Sequence, residues 1–337
     1  MTILTLILGF LFGAILQYSK LNRYNTISGM AMLRDFTMAK AIAVAIGLGI
    51  ILVNLEIGLG FASYHIKPLI LGGIIIGGII FGTGMAILGY CPGTIPVSLG
   101  EGSLDALIGL IGGLVAGVVY TLLAPALSTL TGPDLGSLSV RTIMSESNAA
   151  FYFVTFFLGA LITGIAFLLN KMEKGRNLRW LYSGIGLAIL TSFIFLTSTA
   201  NRVLGASGTY PYVGDLIAGT TDNAYFKGIA PSGNWELIFL TGAFLSGLVL
   251  SLIRKDFRLT LIHENWRKYK GNSNAGRIIW AFVGGFLLIF GARLAGGCTS
   301  GHIISGGMQI ALSSYLFTAF VFGAFLITGK VFYKARK

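Results

Sequence analysis

Nine apolar stretches recur along the chain, at 2–18, 38–56, 69–90, 104–127, 149–170, 180–200, 235–253, 276–297 and 315–333. Each runs for roughly 17 to 24 residues. At about 1.5 Å per residue, that is enough to cross a hydrocarbon core of about 30 Å. Only helices satisfy their backbone in lipid over runs of this kind, so the pattern predicts an all-α integral membrane protein of about nine transmembrane helices. The first stretch has neither a basic leader nor a small-residue cleavage site, and is expected to stay as a span.

The polar segments between these stretches are uneven. Residues 19–36, 91–103, 201–234 and 298–313 are too polar or glycine-rich to cross, yet they carry short helix-like pieces such as Thr26 to Leu33 and Ile303 to Leu312. For 209–234, with Pro211, Asn223 and Pro231, the expectation is a loop on the surface. The two segments that begin with cysteine are expected to be re-entrant half-helices, because breaks at membrane depth are tolerated only around a buried polar cavity.

A repeat underlies this punctuation. Gly77-Gly78, Gly84, Gly89 and Cys91 return 207 positions later as Gly284-Gly285, Gly291, Gly296 and Cys298. An earlier pair agrees, since Asn22-Arg23 with Ser28-Gly29 matches Asn201-Arg202 with Ser207-Gly208. The expected organisation is a first unit over 1–128, a connector over 129–179 that includes the span 149–170, and a second unit over 180–337. Five crossings separate equivalent points, so the second unit must be inverted, and interrupted segments at matching positions of inverted repeats point to a transport site near the midplane.

Composition changes the picture little. Hydrophobic residues make up 55% of the chain and charged ones 11%, with mean hydropathy +0.82, values outside the range of soluble domains. The formal charge of +12 invites a nucleic-acid reading, but its distribution opposes one. Loops after spans one, five, seven and nine hold nineteen of the twenty-four Lys and Arg, including Lys171, Lys174, Arg176, Arg179 and the run Arg254 to Arg277. By the positive-inside rule, this bias puts the N-terminus outside and Lys334 to Lys337 in the cytoplasm of a cell (inner) membrane.

The only two cysteines occupy matching places, each closing a glycine-rich helix before a polar turn: Cys91-Pro92-Gly93-Thr94 and Cys298-Thr299-Ser300-Gly301-His302. Taken singly, a buried cysteine is usually a small apolar filler; the symmetric placement favours function over that reading and over a disulfide. Two cysteines and three scattered histidines show no metal-ligand spacing. Arg293 lies inside a span, where a charge is costly unless paired or hydrated, and is either a helix-holding arginine or an anion attractor. Arg202 and Lys67 are candidates for an external anion funnel, and His302 for a path residue or a polar tip of the turn. Gly72-Gly73 and Gly112-Gly113 read as close-packing glycines. Glu56, Asp105 and Glu236 all fall at span ends, so an acidic proton relay lacks parts. No Walker motif or soluble domain is visible, and neither enzyme chemistry nor a cofactor is expected.

The blocks Phe81 to Thr94 and Gly291 to His302 resemble the two cysteine motifs of the YeeE/YedE family, and Asn22 to Gly29 with Leu33-Arg34-Asp35 resembles its first motif. The resemblance implies a thiosulfate importer of inverted-repeat, hourglass form, similar to two half-length members joined, with cysteines along a narrow path and a cytosolic TusA-like sulfur carrier as partner. Thr94 and Thr299, in the turns of the two motifs, join the candidate path. In that family the first motif also carries a cysteine after an Arg-aromatic pair; here Arg23-Tyr24 is followed by Asn25, whose amide can still donate to an anion. Thiosulfate is a dianion with a soft terminal sulfur. Thiols buried away from positive charge stay protonated and offer it weak S–H donors, and half-helix N-termini near each cysteine would add N–H donors. Other sulfur or selenium species fit the same features, as does a membrane sulfur-relay or thiol-redox protein passing a persulfide between Cys91 and Cys298.

Overall fold

In a computed structural model, which describes residues 2–144, 148–173 and 177–334, the apolar stretches form helices and the glycine-rich breaks between them form short ones. Helix α1 (Thr2–Tyr18) ends at a turn where Lys20 takes a positive φ, and a short α2 (Tyr24–Ala31) follows. Then come α3 (Thr37–Gly58), α4 (Leu71–Leu88), the short α5 (Thr94–Gly100) and α6 (Leu104–Thr131). A single turn, α7 (Val140–Ile143), capped by Ser139, precedes α8 (Asn148–Glu173). The rest of the chain is α9 (Arg179–Phe195), α10 (Thr209–Ala218), α11 (Ala224–Ile253), α12 (Glu264–Lys270), α13 (Asn274–Leu294), a π-helical segment over Thr299–Gly306, and α14 (Leu312–Phe332). Among the described residues there is no extended strand. Seven helices are long and apolar enough to cross a membrane, and α1 and α9 are apolar helices of 17 residues. The protein is an all-α, multi-pass membrane protein.

Glycine sets the closest helix contact. A Cβ on Gly77 would lie 2.7 Å from the Gly291 carbonyl oxygen, and one on Gly291 2.6 Å from that of Gly77. Two turns further along, a Cβ on Gly84 would lie 2.8 Å from the Gly284 oxygen. Backbones approach this closely in lipid only where side chains are missing. Since Gly77 matches Gly284 and Gly84 matches Gly291 in the 207-residue repeat, the crossed pairing is what a two-fold relation between α4 and α13 requires. The larger packing pattern has the same form: α4 packs on α14 as α13 packs on α6, and α1 on α11 as α3 on α9. Gly72 and Gly112 sit at similar close approaches, to Thr131 and Phe282 carbonyls. Helix α8 rests on α3 and otherwise faces outward, burying only Phe151, Thr155, Gly159 and Ala166.

Two expectations need correction. Residues 209–234 are not a surface loop. Thr209–Ala218 is a helix with Tyr210, Pro211, Gly214 and Asp215 buried, packed on α6 and α11, and residues 224–234 begin the long α11. Pro211 is compatible because it stands third in α10, where its missing N–H has no helical partner to lose. As a result Glu236 lies within α11, not at a helix end. The basic run 254–277 is also more than a topology signal: α12 packs against α2, and Arg277 is fully buried. Lys174, Arg176 and the C-terminal Arg336 and Lys337 lie outside the described residues.

Candidate functional site

Both cysteine turns begin with a left-handed glycine. Gly89 has φ +80° and Gly296 φ +73°, a conformation that costs a side-chain-bearing residue about 1–2 kcal/mol, and it ends each helix before its cysteine. After Gly89, the Cys91 N–H donates to the Thr94 hydroxyl at 2.8 Å, and that hydroxyl donates back to the Cys91 carbonyl at 3.0 Å. After Gly296, the Cys298 sulfur lies 3.3 Å from the Ser300 hydroxyl. Both cysteines are free thiols, Cys298 1% and Cys91 8% exposed, and Cys91 lies within electrostatic reach of Cys298. The Tyr210 hydroxyl, which senses both, donates to the Pro92 carbonyl at 2.9 Å. The start of α10 is thereby tied to the turn at Cys91, and Gly93 lies against Ala206 beside it.

The half-helix donors expected after Cys91 are engaged elsewhere, and so are those that begin α10. At α5, the N–H groups of Thr94 and Ile95 turn back onto the Cys91 carbonyl at 3.0 and 3.1 Å. At α10, the N–H groups of Gly208 and Thr209 donate to the Glu236 carboxylate at 2.6 and 3.2 Å. Glu236, expected only at a span end, is thus part of the site.

Toward the end of the bundle reached from Cys298, Lys67, Arg202 and Arg293 lie within electrostatic reach of one another. The Lys67 ammonium donates to the Gly296 carbonyl and lies beside Gly297 and Gly301. Desolvation, with the Arg293 cation next, draws Lys67 down to about 8. Arg202 stacks on Trp235 at 4.3 Å, and its Nε has no protein partner among the described residues. Arg293 donates to the Tyr225 hydroxyl at 2.7 Å and to Ser207 at 3.2 Å, linking α13 to α11 and to the segment before α10. Thr299 is 4% exposed, and its hydroxyl is likewise unpartnered. His302 is drawn the other way. Its Nε2 bonds the Ala295 carbonyl at 2.9 Å, its Nδ1 pairs with the Ser314 hydroxyl at 3.0 Å, and its ring stacks on Phe317. Both nitrogens hold the fold, as the Thr94 hydroxyl does.

At the opposite end, Asn25 lines a cavity of about 350 Å³ with Arg23, Glu101, Ser103, Asp256, Arg258, Thr260 and His263. The Asn25 side-chain oxygen accepts the Asn265 N–H at 3.1 Å. Arg23 spans this cavity, 3.6 Å from Glu101 and 3.2 Å from Asp256. Above it lies a network that the sequence reading missed. Arg277 reaches Asp105 at 2.5 Å and the Leu88 carbonyl at 2.7 Å, both side chains being fully buried. His263 bonds Asp105 and the Tyr90 hydroxyl, each at 3.0 Å, and stacks on Tyr24. This network clamps the end of α4, at Leu88, and Tyr90, the residue before Cys91. The signal available in sequence was scarcity: with only twelve acids in the chain, Asp105 and Glu236 each needed a partner.

A family model described as sulphur transport matches residues 19–327. The chain is also similar to the thiosulfate transporter TsuA of Spirochaeta thermophila, at 28% identity over 331 residues and 94% of each chain.

Proposed function

The chain belongs to the sulphur transport family, and on that premise we propose that it is a permease that imports thiosulfate along a path through Cys298 and Cys91. The observation that carries this reading is two free, buried thiols at matching helix breaks, within electrostatic reach of each other, with Lys67 beside the turn at Cys298 and acted on by Arg293 and Arg202. The name of the relative from Spirochaeta thermophila supports thiosulfate as the substrate. Neutral thiols can offer S–H contacts to a soft sulfur without adding repelling charge, and weak sequential contacts suit conduction, where an ion must leave as easily as it enters. Cations at the entrance raise the local concentration of a dianion.

In this reading residues 1–128 and 180–337 are inverted halves joined by 129–179, a division supported by the crossed contacts of Gly77 with Gly291 and Gly84 with Gly284. The end bearing Lys67 faces outside, the end bearing Asn25 and His263 faces the cytoplasm, and the protein resides in the inner membrane. That orientation rests on the nineteen-to-four distribution of basic residues between alternate loops. Asn25 then stands at the exit, and a cytosolic TusA-like sulfur carrier is the proposed acceptor. A thiol-relay protein is the weaker reading, because relay cysteines need access and both thiols are buried. Growth of a sulfate-uptake-deficient bacterium on thiosulfate as sole sulfur source, with and without this protein, tests the proposal; equal growth would refute it.

A further inference from the structure

Three cations facing a dianion make a trap unless something loosens it. Arg202 precedes α10, Lys67 precedes α4 and Arg293 lies on α13, and all three act electrostatically on one carboxylate, Glu236 of α11. The phenols of Tyr210 and Tyr225 sense it as well. Glu236 is 7% exposed. Among the described residues, no cation closes on it to the distance of an ion pair. Instead it lies on the first N–H groups of α10, those of Gly208 and Thr209, a ready-made place for an anion. Gly205 lets it settle there, since a Cβ at that residue would come within 2.0 Å of Oε1. Of the cations acting on it, Arg202 has capacity left over, its Nε having no protein partner among the described residues.

We propose that Glu236 is a tethered counter-anion: its carboxylate occupies the outer anion seat, yields it to the incoming sulfur dianion, and by returning drives that dianion onward. The proposal rests on the permease reading. Its physical basis is that a like charge held close weakens binding of the dianion without removing the cations that attract it. A carboxylate that only caps α10 would stabilise the helix and leave substrate affinity alone.

The test is equilibrium binding of radiolabelled thiosulfate to the purified full-length protein, paired with initial uptake rates in proteoliposomes. Glu236→Gln keeps the shape and an acceptor oxygen but removes the charge. It should bind thiosulfate at least about fivefold more tightly, with a lower KM and a lower maximal rate. Glu236→Asp, which keeps the charge, should bind about as weakly as wild type, so that the gain in Glu236→Gln is assigned to the charge. Unchanged or weaker binding by folded Glu236→Gln, or equal tightening in Glu236→Asp, would overturn the proposal. Wild-type protein that neither binds nor moves thiosulfate would overturn the permease reading together with it.

Discussion

The hydroxyl of Tyr210 donates to the carbonyl of Pro92 at 2.9 Å, joining α10 to the turn at Cys91 across 118 residues of sequence. Both groups are buried, so removing the donor leaves a carbonyl without its partner. Such a loss costs about 1–3 kcal/mol. Tyr210→Phe should therefore lower the melting temperature and slow thiosulfate uptake while thiol content stays the same. Wild-type melting and wild-type uptake together would show that this bond does not hold the turn at Cys91.

The crossing of α4 and α13 predicts a paired sensitivity. Gly84→Ala would put a methyl 2.4 Å from the Leu288 nitrogen, and Gly284→Ala one 2.8 Å from the Leu88 nitrogen. Each should reduce the yield of monodisperse protein by size-exclusion chromatography, because a packed backbone cannot move aside without strain. Gly164→Ala meets nothing within 4 Å and should be neutral. If all three behaved alike, the close contact would not be what fixes the crossing.

Lys67 supplies an alkaline limit to transport. With its ammonium drawn down to about 8, it is mostly cationic at pH 7 and mostly neutral at pH 9. The form that attracts a dianion is the one lost as pH rises, so uptake should fall across that interval. The charged fraction drops about tenfold over those two pH units. Lys67→Met should show low uptake at both values. A wild-type rate that is level from pH 7 to 9 would remove Lys67 from the funnel.

Asn25 tests the departure from the family's first motif. Asn25→Leu removes the acceptor of the Asn265 N–H and places apolar bulk in the cavity shared with His263, so uptake should drop severalfold. Asn25→Cys, smaller and suited to a soft anion, should retain more of it. Full uptake by the leucine variant would mean that residue 25 does not line the exit.

Much of this architecture was legible in the chain because apolar length and glycine spacing are local signals. The cysteine breaks and the short helices beginning at Tyr24 and Thr94 follow from them. Residues 209–218 were hidden by Pro211, which reads as a breaker unless its place in the first turn of a helix is known. Arg277 was hidden within a basic run whose other members explain topology, and its partner Asp105 is 172 residues away. Glu236 was hidden because the start of α11 was read as loop. Pairings between distant polar groups leave no periodic trace, and these pairings surround both cysteine turns.

The central claim is that the sulfur anion passes both thiols. Radiolabelled thiosulfate uptake by Cys91→Ala and Cys298→Ala, at matched protein levels, tests it most directly. Each methyl replaces a buried thiol with little change in packing, so the account predicts folded protein and loss of most uptake in both variants, about tenfold or more for a contact worth about 1.4 kcal/mol in the rate-limiting step. Uptake at the wild-type rate in both would contradict a cysteine path.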